Sequence, residues 1–146
     1  MIVQLFAGAV LFAVTVAMHA AGLTAVLRWG ARSPALLNTR FWPRTWLLIR
    51  IACCLLAIHL IEITVWALFY WRQECFPDAE SALYFSGVTY SSVGYGDLLL
   101  PKAWRLLGPI QGLTGILMCG LSIGVLFAVV NRMYTQSANA NDTSGH

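Results

Sequence analysis

The chain has 146 residues, of which 59% are hydrophobic and 10% are charged. Because soluble domains carry about 25% charged residues, this composition indicates a membrane protein of a single module. The net charge of +3 requires no nucleic-acid partner, since the arginines lie beside apolar segments. No Ser/His/acid set, phosphate-binding loop or zinc-type cysteine spacing stands out, so we predict that the chain is not an enzyme and has no cofactor.

The first apolar run extends from about residue 2 to residue 27. It is long enough to span a bilayer, which takes about 20 residues. No positive residue precedes it, and it is longer than the usual apolar core of a signal peptide. We therefore predict a membrane helix; the alternative, a cleaved leader, leaves two spans.

Residues 28–45 contain no acidic residue and are rich in arginine and proline: Arg28, Arg32, Pro34, Pro43, Arg40 and Arg44. A short basic loop between two spans belongs on the cytoplasmic side of the membrane. Four apolar residues predict either a short helix on the membrane surface or a plain loop: Leu36, Leu37, Phe41 and Trp42. We assign residues 1–45 to an N-terminal membrane helix with its basic linker.

The second span runs from about Thr45 to Trp71, and its outer end is aromatic, as is typical of a membrane interface. The outer loop that follows has mixed charge and holds Cys75. This cysteine is predicted either to be a free thiol or to pair with the same cysteine of a symmetry-related copy. The other three cysteines lie in apolar spans, where a small buried side chain is the simplest interpretation.

Two ionisable residues, His59 and Glu62, lie three positions apart on one face of the second span. His19 of the first span falls at a similar depth. Ionisable residues inside a membrane are costly and rare. The donor to Glu62 can be His59, one turn away, or a hydroxyl of the first span or of the short helix predicted at residues 79–91. We predict that the group links helices. A sensor or a metal site, for which a further ligand is needed, is the alternative.

Residues 79–91 predict a short helix, with Asp78 as N-cap and Glu80 in the first turn. The run is too short to span a bilayer. It can enter the membrane only where protein surrounds it.

A glycine-rich string follows this helix: Thr89-Tyr90-Ser91-Ser92-Val93-Gly94-Tyr95-Gly96-Asp97. It resembles the selectivity filter of potassium channels, T-x-x-T-x-G-Y-G-D, with Ser92 in place of the second threonine. The resemblance covers about residues 46–132, which we assign to a pore domain of outer helix, pore helix, filter and inner helix. Gly94 and Gly96 suit the unusual backbone angles that such a strand requires.

The resemblance implies a role for each residue of the string. Dehydrated K⁺ would be bound by the backbone carbonyls of Ser92, Val93, Gly94 and Tyr95, with Gly96 completing the filter. Thr89 and Asp97 would support it.

The pore helix departs from the family pattern behind the filter. Many bacterial relatives carry two tryptophans and a glutamate at positions that here are Tyr84, Phe85 and Val88. Asp97 therefore has no carboxyl partner at Val88, and Tyr84 is the candidate that can reach the filter instead.

The third span runs from about Leu106 to Val130 and carries several glycines. By resemblance to inner pore helices, Gly115 lies near the family's hinge and Gly120 is a second candidate, while close helix packing is the alternative. Phe127, near the inner end, is a candidate gate. Residues 133–146 are polar and low in complexity, which predicts a disordered cytoplasmic tail.

Together these segments predict an all-α membrane protein with three transmembrane helices, a re-entrant pore helix and a filter loop. The resemblance implies a homotetrameric potassium-selective channel in the cell membrane, with the lipid bilayer and K⁺ as its partners. The N-terminus would lie outside and the C-terminus in the cytoplasm. The alternatives are a pore-loop subunit of a potassium transporter and a non-conducting membrane regulator.

Overall fold

The computed structural model describes residues 2–33 and 41–143, without the side chains of 41 and 136–143. The described part is all helical, with elements α1 (Ile2–Ala31), α2 (Phe41–Arg72), α3 (Ala79–Tyr90) and α4 (Leu107–Thr143). Among the described residues, three stretches are long and apolar enough to cross a membrane: Ile2–Ala31, Trp42–Arg72 and Leu107–Thr135. The prediction of three spans with a short helix before the last is confirmed.

The helix predicted on the membrane surface falls partly outside the described residues. Leu36 and Leu37 belong to the segment that is not described, whereas Phe41 and Trp42 begin α2. The second span therefore starts within the arginine-rich segment. Pro43 is tolerated there because backbone N–H groups in the first turn of a helix have no intrahelical acceptor, so the N–H that proline lacks is not needed.

Helix α1 packs against both α2 and α4 of the same chain. Its buried residues recur at helical spacing along one face: Gly8, Leu11, Thr15, His19, Val26 and Gly30. Two glycines allow close approach, because a Cβ at Gly22 would lie 2.6 Å from Ile58 Cδ1 and one at Gly8 would lie 2.7 Å from Ile110 Cδ1. The first span is thus packed against the other helices of the chain.

Two apolar clusters divide the interior. The aromatic cluster lies beside α3 and includes Trp66, Tyr70, Phe76, Phe85 and Leu107. The aliphatic cluster joins the other ends of α1, α2 and α4 through Val26, Leu47, Ile51, Leu55 and Met133. Buried polar side chains on α1 and α2 lie between these clusters along the chain, and they include the ionisable residues described below.

Helix α4 differs from the sequence prediction at its end. The apolar span was expected to stop near Val130 and a disordered tail to begin at 133, but the helix continues to Thr143. Residues 133–143 contain neither glycine nor proline, so nothing in them stops a helix that is already formed. Composition was a poor guide here because helix propagation needs no apolar face.

Candidate functional site

Helix α3 presents the glycine-rich strand. Its start is fixed by Asp78, whose Oδ1 accepts from the Ser81 backbone N–H at 2.7 Å, as the sequence predicted. At the other end the chain leaves the helix in a tight turn: the Ser92 N–H donates to the Thr89 carbonyl at 3.0 Å, and the Val93 N–H donates to the Val88 carbonyl at 3.1 Å. A capped helix therefore carries the strand at its C-terminal end, where the helix dipole is negative.

Alternate residues of the strand adopt left-handed backbone angles. The φ angles are +60° at Ser92, +56° at Gly94 and +78° at Gly96. The two glycines match the expectation from the motif, because they have no Cβ to clash. Ser92 was not predicted to be left-handed, and for a residue with a Cβ this conformation costs about 1–2 kcal/mol.

The strand has little packing within one chain. Residues 91–97 are all exposed, with Val93 at 53% and Tyr95 at 71%. A Cβ added at Gly94 or Gly96 would meet nothing within 4 Å. The two side chains that the resemblance expects to brace the filter, Val93 and Tyr95, are therefore more than half exposed in a single chain.

Tyr84 contacts the end of the strand, where its hydroxyl donates to Asp97 Oδ2 at 2.8 Å. This hydrogen bond to a carboxylate raises the pKa of the Tyr84 phenol above its ordinary value. The backbone of Thr89 packs against α4. Its carbonyl oxygen would lie 3.6 Å from a Cβ atom added at Gly112.

Gly115 lies at a very close contact between α4 and α3. A Cβ at this position would lie 1.9 Å from the Tyr90 carbonyl oxygen, so a glycine is required by the backbone of α3. This is the close packing that was the alternative to a hinge. A Cβ at Gly120 would meet nothing within 4 Å, and the hinge role of both glycines stays a prediction.

An exposed apolar stripe runs along the face of α4 that carries the candidate gate, Phe127. That side chain is 72% exposed. The neighbouring exposed residues recur at helical spacing: Leu113, Ile116, Leu117, Leu121 and Ile123.

A network that the sequence did not predict fixes α3 between α2 and α4. Gln111 of α4 donates through Nε2 to Ser86 Oγ at 2.7 Å and accepts at Oε1 from the Tyr70 hydroxyl at 2.9 Å. Ser86 in turn donates to the Ile63 carbonyl at 2.7 Å. We call Tyr70, Ser86 and Gln111 the amide network. The signal for it was a glutamine inside an apolar span.

A second network, which we call the polar ring, contains Glu62, His19, Ser122, His59 and Tyr90, and so draws on all four helices. Glu62 and His19 are fully buried, and His19 Nδ1 lies 2.9 Å from Glu62 Oε1. The Tyr90 hydroxyl donates to Glu62 Oε2. The sequence analysis placed the two histidines and Glu62 together and allowed a hydroxyl of the short helix as a donor, but it singled out neither Tyr90 nor Ser122.

Two kinds of donor to Glu62 were considered, His59 and a neighbouring hydroxyl, and the structure separates them. His59 is not the direct donor, since its Nδ1 lies 3.6 Å from Glu62 Oε2, whereas a hydroxyl of α3 does donate. The shorter contacts of His59, both at 3.0 Å, are to the Tyr90 hydroxyl and to Ser122 Oγ. The direct partners of the carboxylate are His19 of α1 and Tyr90 of α3, which reach it from neighbouring helices. His59 is on the same helix as Glu62, one turn away, and lies farther from the carboxylate.

The ligand atoms of His19, His59 and Glu62 all lie within 4.8 Å of one another, a spacing that a metal ion could use. These atoms already bond to each other and to the two hydroxyl groups of the ring. The arrangement is that of polar residues joining helices, which is the interpretation that the sequence favoured.

Cys75 lies in the aromatic cluster, and it is a free cysteine. Burial raises the pKa of its thiol, which lowers its reactivity. For the symmetric disulfide that was considered, Cys75 would first have to leave its packed position inside one chain.

A comparison with known families agrees with this arrangement. The family model described as "Ion channel" matches residues 54–132, from the middle of α2 through α3 and the strand into α4. No curated protein and no solved structure matches the chain. The match covers more than half of the sequence and includes the whole glycine-rich strand. The chain is therefore a multi-pass membrane protein that belongs to the ion channel family.

Proposed function

We propose that the chain is one subunit of a homotetrameric, potassium-selective pore. The observation that carries this proposal is the left-handed backbone at Ser92, Gly94 and Gly96, inside the string that resembles the potassium-channel filter. Membership of an ion channel family supports passive ion conduction and gives no reason to expect an enzyme.

The backbone alternation has a direct use in ion binding. When successive residues alternate in hand, their carbonyl groups can turn toward the same side of the strand. Four strands around an axis then supply rings of oxygens that replace the water shell of K⁺. In this proposal the carbonyls of Ser92, Val93, Gly94 and Tyr95 bind the ions, and the Ser92 hydroxyl adds the innermost ring.

The need for several copies follows from the exposed strand. Irregular backbone at membrane depth is tolerated only where protein buries it or water lines it. Residues 91–97 are exposed in one chain, so neighbouring copies must cover their outer side and leave the inner side to water and ions. The exposed face of α4 around Phe127 is available to line the cavity below the strand.

The orientation rests on charge. The arginines at residues 28–44 favour the cytoplasmic side for the α1–α2 connection, which places the N-terminus outside and the end of α4 inside the cell. The strand then faces the outer mouth of a channel in the cell membrane.

The test is a recording of the purified protein in planar bilayers under bi-ionic K⁺/Na⁺ conditions. We expect a reversal potential that reports strong preference for K⁺. Equal permeability of the two ions would reject potassium selectivity, and the absence of any current would support a non-conducting regulator.

The matched variants are Gly94→Ala and Gly124→Ala. Gly94 has a φ of +56°, where a Cβ costs about 1–2 kcal/mol in every copy. Gly124 is helical and a Cβ there meets nothing within 4 Å. We expect Gly94→Ala to lose selective conduction and Gly124→Ala to keep the K⁺ preference of the unmodified protein.

A further inference from the structure

The hydrogen bonds of the polar ring close on themselves. Glu62 contacts His19, His19 contacts Ser122, Ser122 contacts His59, His59 contacts Tyr90, and Tyr90 contacts Glu62. The two contacts of Ser122 Oγ are to His59 Nε2 at 3.0 Å and to His19 Nε2 at 3.4 Å. A closed ring of five contacts needs one proton in each of them.

The surroundings of the histidines decide which nitrogen carries the first proton. His19 Nδ1 faces the Glu62 carboxylate at 2.9 Å, so it donates there. His59 Nδ1 faces the Tyr90 oxygen at 3.0 Å, and the single Tyr90 proton is already donated to Glu62. Both histidines therefore carry a proton on Nδ1, and both Nε2 lone pairs point at Ser122 Oγ.

The ring is then one proton short. Ser122 has a single hydroxyl proton and can donate it to only one Nε2. With Glu62 ionised and both histidines neutral, the groups hold four protons for the five contacts. The remaining Nε2 and the serine oxygen would then face each other as two acceptors with no proton between them. Leaving buried polar groups without a hydrogen bond is energetically unfavourable.

We propose that the polar ring is a binding site for one proton, held as an imidazolium by His19 beside the Glu62 carboxylate. The added proton completes the fifth contact, from His19 Nε2–H to Ser122 Oγ. It also leaves the cluster without net charge, which suits burial in a membrane. His19 is the holder because it lies nearer the carboxylate than His59 does.

The other groups facing the ring do not compete for this proton. The titratable residues around Glu62 are His19 from α1, His59 from α2, Tyr90 from α3 and Cys119 from α4. A phenol and a thiol are ordinarily neutral at pH 7, since their unperturbed pKa values are about 10 and 8.5. Histidine is the group that changes charge between about pH 5 and 8.

The bound proton ties α1 to the base of the filter strand. Tyr90 ends α3, two residues before Ser92, and its side chain closes the ring on Glu62. Proton loss opens the contact between α1 and α4, because His19 and Ser122 then face each other as acceptors. The proposal holds whichever ion the pore conducts.

A single substitution can close the ring without the proton. The amide of Gln at position 62 would donate to His19 Nδ1 and still accept from Tyr90, so His19 Nε2–H could donate to Ser122 with both histidines neutral. We therefore expect the polar ring of Glu62→Gln to close without an extra proton. Ser122→Ala removes the acceptor of the fifth contact while the carboxylate remains.

The experiment is ¹⁵N NMR of histidine-labelled protein in lipid, with a chelator present so that no metal replaces the proton. His146 is changed to alanine in every sample, which leaves His19 and His59 as the only histidines. At pH 7 we expect one imidazolium and one neutral ring per chain. Raising the pH should convert the imidazolium to a second neutral ring.

The variants separate the polar ring from a simple ion pair. Glu62→Gln should show no imidazolium at pH 7, and Ser122→Ala should show less than the unmodified protein. Two neutral histidines in the unmodified protein at pH 7, two imidazolium rings, or an imidazolium that persists in Glu62→Gln would each overturn the proposal. An unchanged signal in Ser122→Ala would reject the ring in favour of an isolated His19–Glu62 pair.

A melting measurement in detergent shows whether the proton matters to the fold. We expect the unmodified protein to melt higher at about pH 6 than at about pH 8, within the range where histidine titrates. Glu62→Gln should show the opposite order, because its folded histidines stay neutral while those of the unfolded chain take up protons at about pH 6. Gln111→Leu is the control, because it breaks the amide network, which has no group that titrates in this range. Gln111→Leu should lower the melting temperature and keep the pH dependence of the unmodified protein. A Glu62→Gln protein that still melted higher at about pH 6 than at about pH 8 would contradict the proposal.

Discussion

The polar ring and the glycine-rich strand are both polar features of a membrane protein, but the ring finds its partners within one chain and the strand is left exposed. Glu62 and His19 are fully buried, and every ring residue finds its partners on the other helices. The strand leaves Val93 and Tyr95 more than half exposed. The difference separates a part whose contacts one chain supplies from a part that, under the proposed assembly, other copies would cover.

The two regions meet at Tyr90. Its side chain belongs to the polar ring, while its carbonyl oxygen lies against Gly115 of α4. The chain enters the strand two residues later, at Ser92. A disturbance at this junction should affect both regions, whereas a change at the exposed surface should affect only the part that needs other copies.

Gly115→Ala should have the largest effect, because it removes the junction itself. The new Cβ would lie 1.9 Å from the Tyr90 carbonyl oxygen, so the backbone of α3 or α4 must move. Overpacking of this kind typically costs about 1–3 kcal/mol and sometimes more. We expect a lower melting temperature in detergent together with loss of ion flux.

The control for this change is Gly124→Ala on the same helix, where a Cβ meets nothing within 4 Å. Its melting temperature should equal that of the unmodified protein or exceed it, since alanine favours a helix over glycine. If Gly115→Ala melted and conducted like the unmodified protein, the contact with Tyr90 would not hold the strand, and a hinge role would be open again.

Phe127→Ala should have an intermediate effect, confined to the part that one chain leaves open. Phe127 is 72% exposed and lies on the apolar face of α4. If four copies of this ring close the inner end of the pore by excluding water, the smaller side chain should raise the open probability several-fold. Single-channel recording measures this directly, and the melting temperature should not change.

An unchanged open probability in Phe127→Ala, together with labelling of position 127 by a lipid-phase reagent, would place this face of α4 toward the bilayer. The matched control variant is Ile123→Ala, which changes another exposed apolar residue one turn earlier on the same face of α4. A smaller increase there than at Phe127 would locate the constriction at the inner end.

Tyr84→Phe should have the smallest effect, since it removes one exposed hydrogen bond at the end of the strand. We expect the current to decline faster during sustained opening, because Asp97 loses the hydroxyl that lies 2.8 Å away. The raised pKa of the Tyr84 phenol sets the sign with pH: the neutral donor is present below its ordinary value of about 10 and is lost above its raised value. The variant and the unmodified protein should therefore differ at neutral pH and converge in strongly alkaline solution.

Identical current decay in the two proteins at neutral pH would show that Tyr84 does not support the filter. Asp97→Asn is the complementary change, since it keeps a hydrogen-bond acceptor at the same place. It should preserve more of the slow decay than Tyr84→Phe does.

The sequence predicted the membrane spans, the short helix and its cap because each depends on local patterns. Apolar length sets a span, and Asp78 precedes its own helix by one residue. The glycines of the strand were equally readable, since a left-handed φ favours a residue without a Cβ. The left-handed Ser92 was not, because nothing local distinguishes it from an ordinary serine.

The sequence by itself determined three membrane helices, a short capped helix and a glycine-rich strand at its end. Only the tertiary structure decided that His19 and Tyr90, rather than His59, bind Glu62 directly, and that Ser122 joins the two histidines. These residues are up to 103 positions apart, and their meeting depends on how four helices pack around each other. The tertiary structure also decided that residue 115 must be a glycine. The space for a side chain there is limited by the backbone of α3, and the sequence around Gly115 does not reveal that contact.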